Sequence, residues 1–499
     1  MNFKLSISAK GDDLSFKTHS ALVKFFIESD NLEKLVDDFF ANFNSALSYL
    51  QKKNFLDKKN DELVYYSTAP EPSVIYLKKV KVDKEFSPDF FRNYFSGLIQ
   101  SLKGKDINSI NVIVPAFSHF PGHFESDAYM IQTIAEGIYL GNYSFDNYKS
   151  EKNSVHALNV NLHYSDVKIV SSVLSFTEKL MNSVYFARDL VNEPAITLTP
   201  QEFAKRTKVQ LSKQKVKVTI FDKNELKKKR MNAILAVGGA SANDPLMMIL
   251  NYKPAAAVKK IALVGKGVTY DSGGLSIKPT NSMIEMNADM AGGALVVGVM
   301  YAVASLKLPI EVIGVIPCVE NMLGGSSYKP GDIIKAYSGK TIEVKDTDAE
   351  GRIILADALH YASQQKPEEI IDFATLTGAV VVALGDFIAG LFTNNEDMAD
   401  KLLKAGCKTH ERLWRLPLWN DYKSLIKSER ADVSNLGPRW GGAITAAKFL
   451  EHFVDEKIPW THLDIAGPAI KHKSTNYTEK FDTAFGVRLM VDYIQGIIK

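Results

Sequence analysis

Eight consecutive residues, Lys345-Asp-Thr-Asp-Ala-Glu-Gly-Arg352, place three carboxylates and an arginine between a strand-like run, TIEV (341–344), and an apolar periodic run, IILADALHYA (353–362). Upstream, Val264-Gly-Lys-Gly-Val-Thr-Tyr-Asp-Ser-Gly-Gly-Leu-Ser-Ile-Lys278 forms a second polar cluster, and Asp289 follows eleven residues later. Together they offer Asp271, Asp289, Asp348 and Glu350 as hard oxygen ligands, with Lys266, Lys278 and Arg352 as cations. Four carboxylates are too many for one buried site unless metal ions neutralise them. Two divalent ions carry the matching charge, so the pattern reads as a two-metal hydrolase. Any one of these acids alone would be read as a solvated loop charge. The joint pattern is what favours ligation.

Spacing constrains the local structure. Residues two apart on an α-helix point roughly 200° away from each other. Asp348 and Glu350 therefore converge only from a loop, with the helix expected to begin after Gly351 and the glycine freeing the backbone. Gly265, Gly267, Gly273 and Gly274 allow a tight loop carrying Lys266 and Asp271. A phosphate-binding turn is the competing reading, but neither GxxxxGK[ST] nor GxGxxG spacing is present. A lysine ligates metal only as the neutral amine, with its pKa depressed well below about 10.4. One lysine is suited to that role, and another, kept protonated, to stabilising an oxyanion. Arg352, permanently charged and bidentate, suits a carboxylate- or carbonate-shaped anion.

The 499 residues are enough for several domains and a large core, and 46% hydrophobic with 23% charged content is ordinary for a globular protein. Lys and Arg exceed Asp and Glu by 60 − 57 = +3, a balance that argues against nucleic acid or a membrane surface as partner. Cys318 and Cys407 are the only cysteines, too few for a disulfide scaffold, which favours a reducing compartment. The N-terminal residues lack an apolar signal core, and no run reaches about 18 uninterrupted apolar residues. The expectation is a cytoplasmic protein. Residues 1–166 mix strand-like runs (SVIYLKKVKV, INVIVPAF) with helical ones (LEKLVDDFFANFNSALSYLQKK) and read as an N-terminal α/β domain without a chemical motif. Its histidines, His119, His123, His156 and His163, form no metal-spaced set. Residues 167–193 read as a linking helix ended by Pro194. From 194 to 499, strand-like and helix-like segments alternate: VKVTIF, ILAVGGA, MMILNY, IALVG, a helix after Asp289, EVIGVIPCV, a helix after Arg352, and IIDFATL. That alternation implies an α/β fold with a wound, mostly parallel central sheet flanked by helices. Ligand loops then belong at the carboxyl ends of strands, where Lys266 follows IALVG and Asp348 follows TIEV. The basic run Lys223–Arg230 reads as a solvated helix face.

Nine segments resemble, in order, the leucyl (cytosol) aminopeptidase family. They are Val264–Lys278, Asp289-Met-Ala-Gly-Gly-Ala294, Glu320-Asn-Met, Lys329-Pro-Gly-Asp332, Thr347–Arg352, Thr375-Leu-Thr-Gly-Ala379, Trp414-Arg-Leu-Pro-Leu-Trp419, Gly442-Ala-Ile-Thr-Ala-Ala447 and His462-Leu-Asp-Ile-Ala-Gly467. The resemblance runs from about Asp189 to the C-terminus, and no segment of the N-terminal third carries it. It implies a metal-dependent aminopeptidase releasing unblocked N-terminal residues, preferentially leucine and other apolar ones, from peptides. Aminopeptidases are among the established two-metal enzymes. By motif position the tight metal site would be Lys266, Asp271, Asp289 and Glu350. The exchangeable site would be Asp271, Asp348 and Glu350, with the Asp348 carbonyl. The metals would be zinc first, with manganese or cobalt as alternatives. Lys278 and Arg352 match the two catalytic positions, the arginine holding a bicarbonate ion that acts as general base. Met286, Thr375, Leu376 and Ala466 match substrate-binding positions, Leu376 also through its backbone near the anion. The resemblance further implies a homohexamer. Two departures stand out: Asp346 where the family usually has Asn, and Leu323-Gly-Gly325 in place of Pro-Ser-Gly. Two rival functions stay open at this point, a narrow Cys-Gly dipeptidase and a nucleic-acid-binding or scaffold hexamer with secondary peptidase activity.

Overall fold

The computed structural model describes every residue except 1–2, 12–13, 15–18, 30, 44, 58, 68–71, 152–155, 472–476 and 478–480. The chain divides into two compact units, the first running to Met181 and the second starting at Asn182, with Tyr477 returning to the first. The division falls inside one continuous helix, Val167–Asn192.

The first unit is built on a six-stranded sheet. Its strands are β1 (Lys4–Lys10), β2 (Ser20–Ile27), β3 (Glu62–Tyr66), β4 (Val74–Val80), β5 (Ser109–Ile113) and β6 (Ala157–His163), in the order β1-β6-β5-β2-β4-β3. All neighbours are parallel except β3 and β4. Strand alternation sorts β2 onto two cores. Ala21, Val23 and Phe25 pack with Phe91 and Phe95 on one face. Leu22 and Phe26 pack with Val36, Phe40 and Phe55 on the other. The helical stretch read over 32–53 is two helices, Leu32–Ala41 and Tyr49–Leu56, because Ser48 and Gln51 form a capping box that starts the second afresh.

The second unit holds a nine-stranded sheet. The strands of this unit in chain order, not all of them in that sheet, begin with β7 (Lys217–Phe221), β8 (Leu246–Tyr252), β9 (Lys260–Gly265), β10 (Gly267–Asp271) and β11 (Glu311–Asn321). Two short strands, β12 (Ile333–Lys335) and β13 (Thr341–Glu343), come next, then β14 (Glu369–Ala374), β15 (Ala389–Thr393), β16 (Leu413–Arg415), β17 (Val433–Ser434) and β18 (Trp460–Asp464). The large sheet runs β16-β15-β18-β14-β9-β11-β8-β7, with β10 paired to the far end of β11. Its centre, β18-β14-β9-β11, is parallel throughout, and the antiparallel pairs lie toward the edges. Helix Glu350–Gln364 lays Ile354, Leu355, Ala358 and Leu359 into a core that also holds Ala262, Val264, Ile370 and Ala374 from the central strands. Helix Ala291–Leu306 is buried along almost its whole length. The stretch Met286–Leu306 is long and apolar enough to cross a membrane by length and composition, but 83% of its apolar window is buried inside the protein, as for a core helix.

ILAVGGA takes the helical place in that alternation, as Asn232–Val237 followed by a 3-10 turn over Gly238–Ala240, with the buried Asp357 carboxylate accepting the Ala233 and Ile234 amides at the helix start. One local expectation is corrected. TIEV contains a strand, β13, but it belongs to a separate three-stranded sheet, β12-β13-β17, not to the wound sheet. The carboxyl ends of the central strands nonetheless gather polar residues: Lys266 after β9, Asp271 ending β10, Asn321 ending β11, Thr375 after β14 and Asp464 ending β18.

Candidate metal centre

Three polypeptide segments deliver the acids. Asp271 is the last residue of β10, Asp289 sits in the 3-10 turn Met286–Met290, and Asp348 and Glu350 flank the start of the helix Glu350–Gln364. That helix begins at Glu350, two residues earlier than the expected start after Gly351. Glu350 takes the first helical position, where the helix dipole favours a carboxylate, and Asp348 stays in the preceding turn, so the two still converge. Gly351 has a different reason from the one its spacing implied. Its φ is ordinary, but a Cβ there would lie 2.6 Å from Lys266 Cε and 2.9 Å from Lys266 Nζ. The glycine makes room for the lysine. Gly273 does need its freedom, with φ +85° and Asp348 Oδ1 2.8 Å from where a Cβ would stand.

Carboxylate oxygens of Asp271, Asp348 and Glu350 lie within 4.8 Å of one another, a spacing that suits one cation. Lys266, Asp271, Asp289 and Glu350 are all buried. Lys266 Nζ reaches Asp289 Oδ1 at 2.6 Å, Glu350 Oε1 at 2.8 Å and the Thr375 carbonyl at 3.0 Å. Lys278 Nζ reaches Asp348 Oδ1 at 2.6 Å and Asp271 Oδ2 at 2.9 Å. Each lysine thus bridges two of the four acids. Burial alone would lower the Lys266 pKa, but the charges of Asp289, Glu350 and Asp271 outweigh it and hold the ammonium above the ordinary lysine value. Burial likewise opposes Lys278, and Asp271 and Asp348 raise it. Asp348 is pushed up to about 7, by burial first and then by the Asp271 charge, with Lys278 opposing. Asp289 and Glu350 are also raised, chiefly by burial. The acids are therefore short of positive charge even with both lysines beside them. Asp289 Oδ2 and Glu350 Oε2 are buried without a hydrogen-bond partner among the described residues. Orphaned buried carboxylate oxygens are costly, and cations at this cluster would satisfy them. The donor set fits divalent metal.

Arg352 lies in the first turn of the same helix, buried, with Nη1 donating to the Asn435 carbonyl at 2.9 Å and Nε without a hydrogen-bond partner among the described residues. Burial pulls its pKa down to about 10, against the nearby charges of Glu350, Asp464 and Asp346. Of the expected substrate-binding residues, Thr375 Oγ1 donates to Asp289 Oδ1 at 2.7 Å. The Leu376 and Ala466 amides both donate to Asp464 Oδ1, at 3.1 and 3.3 Å, so a single buried carboxylate ties these two positions together. Met286 opens the turn that carries Asp289 and is half-buried. Asp346 is not simply solvated. Its Oδ1 accepts the Asp348 amide at 2.9 Å and so shapes the ligand turn.

Sequence reasoning passed over Asn321, Asp464 and Asn435. Asn435 clamps the ligand loop from outside, accepting the Lys345 amide at 2.7 Å and donating to the Asp346 carbonyl at 2.6 Å. Asn321 and Asp464 had two usable signals: each lies in a segment that carries the family resemblance, and each closes a strand at the carboxyl edge, where such folds place chemistry.

The catalytic-domain model of the cytosol aminopeptidase family matches residues 185–491, and the N-terminal-domain model matches residues 25–152. The chain belongs to the cytosol aminopeptidase family. It is an aminopeptidase, a hydrolase, and metal-dependent as the family is. The N-terminal match lies where no motif was legible. A Geobacter sulfurreducens protein described as "Probable cytosol aminopeptidase" is 41% identical over 504 residues, covering 99% of this chain and 100% of its own. A solved tomato leucine aminopeptidase mutant superposes with TM-score 0.87 at 33% identity, covering 99% of this chain and 97% of its own. A bottromycin maturation enzyme solved in complex with Mn superposes with TM-score 0.84 at 30% identity, covering 97% of this chain and 100% of its own.

Proposed function

We propose that this family member releases unblocked N-terminal residues, preferentially leucine and other apolar ones, using two divalent metal ions. Asp271, Asp289 and Glu350 would hold one ion, joined by Lys266 once it has given up the proton that these acids hold on it in the metal-free cluster, and Asp271, Asp348 and Glu350 would hold the other. The observation that carries the reading is the buried acid cluster with two orphaned carboxylate oxygens. When bound, the ions would activate water, polarise the scissile carbonyl and take the substrate's α-amine as a neutral ligand. Zinc is the first choice, with manganese and cobalt as alternatives; the manganese-bound relative supports manganese as a competent ion.

The chain's own residues would do the rest. Lys278, kept protonated by Asp271 and Asp348, would donate to the oxygen that gains charge in the transition state. Arg352, with Nε unpartnered, would hold a small planar anion such as bicarbonate beside the Leu376 backbone, and that anion would serve as general base. Met286, Thr375, Leu376 and Ala466 would line the site of the first substrate residue. We further propose a cytoplasmic homohexamer.

A leucine chromogenic amide assayed before chelation, after it, and after adding back zinc, manganese or cobalt singly tests the reading. Activity should vanish on chelation and return with at least one ion, and Cys-Gly should be cleaved more slowly than leucine amides. Activity that survives complete metal removal would refute the metal mechanism. Faster cleavage of Cys-Gly would make the narrow dipeptidase the better description. DNA binding that is salt-dependent and outlasts metal removal would favour the scaffold reading.

A further inference from the structure

Strand β11 is an apolar run that closes on a polar pair, Glu320 and Asn321, and the chemistry above uses neither. Asn321 has no exposed surface. Its Nδ2 donates to Asp271 Oδ1 at 2.7 Å and to the Thr347 carbonyl at 3.0 Å. Both partners are acceptors only, so the amide has one possible orientation, with its NH2 toward them. Its backbone carbonyl accepts the Ser272 amide at 3.0 Å and the Ser272 hydroxyl at 2.8 Å. One residue thereby fastens the end of β10, which carries Asp271, to the turn that carries Asp348.

The surroundings make that fastening stiff. The Thr347 carbonyl also accepts the Tyr328 hydroxyl at 2.7 Å. Thr347 Oγ1 donates to the Gly273 carbonyl at 2.6 Å and accepts the Ser276 amide at 2.8 Å. On the other side, Glu320 accepts the Ser241 hydroxyl and takes Asn243 Nδ2 at 3.0 and 3.1 Å, which anchors the strand end. Neither side-chain bond of Asn321 goes to Lys266 or Asp289.

We infer that Asn321 is a positioning residue for the ion held between Asp271 and Asp348. It sets the separation of those two carboxylates and engages Asp271 Oδ1, which turns Oδ2 toward the cluster. Hydrogen bonds to ligating carboxylates orient them, and removing such partners typically costs about 10–100-fold in metal affinity. The inference rests on the two-metal reading and adds to it an asymmetry: the ion that depends on Asp348 needs Asn321 more than the ion that depends on Lys266 and Asp289.

The test is a manganese titration of the metal-stripped full-length protein, followed by calorimetry and by the Mn(II) paramagnetic signal, with thermal unfolding of each stripped protein alongside. The wild type should show two binding events. Asn321→Ala should weaken one of them by about 10–100-fold and leave the other near the wild-type affinity. Asn321→Asp, equal in size but setting acceptor against acceptor, should weaken the same event further. Tyr328→Phe removes the other bond to the Thr347 carbonyl and should weaken that event less, which keeps the inference testable should Asn321→Ala fail to fold. Wild-type affinities in the Asn321 variants, or equal weakening of both events together with a large fall in unfolding temperature, would overturn the assignment in favour of a purely structural amide. A single binding event in the wild type would refute the two-metal reading itself, and this assignment with it.

Discussion

Asp346 stands in the ligand loop where the family resemblance leads one to expect Asn, and the structure gives it a definite task. Its Oδ1 accepts the Asp348 amide, a role an asparagine oxygen can fill equally well. What asparagine would not supply is the charge. At an effective dielectric near 20, two unit charges about 8 Å apart interact by roughly 2 kcal/mol, and partial solvent access shrinks that figure. Asp346→Asn should therefore keep the loop and weaken binding of the exchangeable ion. It should turn over at least as fast when metal is saturating, because less negative charge opposes the developing oxyanion. Metal titrations of both proteins, read as leucine-amide hydrolysis, check this. Tighter binding by the Asn variant contradicts the electrostatic argument, and identical curves mean that the charge is fully screened.

At the scale of elements, the parallel strands were legible because each is a short apolar run between glycines and polar turns, and Lys266 and Asp271 stood at the ends of β9 and β10. Helix Glu350–Gln364 was legible apart from its first two residues, since spacing shows that two side chains must converge but not which residue the helix claims. The membership of β13 was not legible, because its partners are Ile333–Lys335 and Val433–Ser434, the latter about 90 residues away, and three apolar residues do not name a sheet. Asn321 and Asp464 were missed for a similar reason: the hydrogen bonds that define them join residues 26–88 positions apart. Beside Asp464, β14 and β18 share a buried polar ladder. Asp372 accepts Trp460 Nε1 at 2.7 Å and pairs with His462 Nδ1 at 2.6 Å. Burial lowers the His462 pKa, but the Asp372 charge and hydrogen bond outweigh it, with Asp464 helping and Arg352 opposing. The folded pKa is thus raised above about 6.5. The folded state holds a proton that the unfolded state releases, so the pair's contribution is complete below pH 6.5 and lost as pH rises through the raised value. Between those limits it should decline by up to about 1.4 kcal/mol per pH unit. Asp372→Asn keeps the shape and removes the charge, so its unfolding temperature should fall less steeply than the wild type's from pH 6.5 upward at saturating metal. Parallel curves would mean that His462 is neutral in the folded protein.

For the whole molecule, an exopeptidase built on two metals makes demands at both ends of its reaction. The substrate's α-amine is a ligand in this account, and an amide nitrogen is a poor one. Acetylating the amine of a leucine peptide should abolish cleavage, as followed by product chromatography, whereas efficient cleavage of the blocked peptide, or internal cleavage of a long one, would mark an endopeptidase. The central claim is narrower still: four carboxylates, three buried and Asp348 half-buried, with those of Asp271, Asp348 and Glu350 within 4.8 Å of one another, exist to hold two divalent ions, Asp271 and Glu350 serving both. The most direct measurement is metal content per chain, by elemental analysis of the purified full-length protein after equilibration with zinc or manganese, paired with turnover on a leucine amide for the wild type, Asp271→Ala and Glu350→Ala. The account predicts two ions per chain in the wild type, fewer than two in each variant, and activity lost in both. Two bound ions with near-normal turnover in either variant would contradict it.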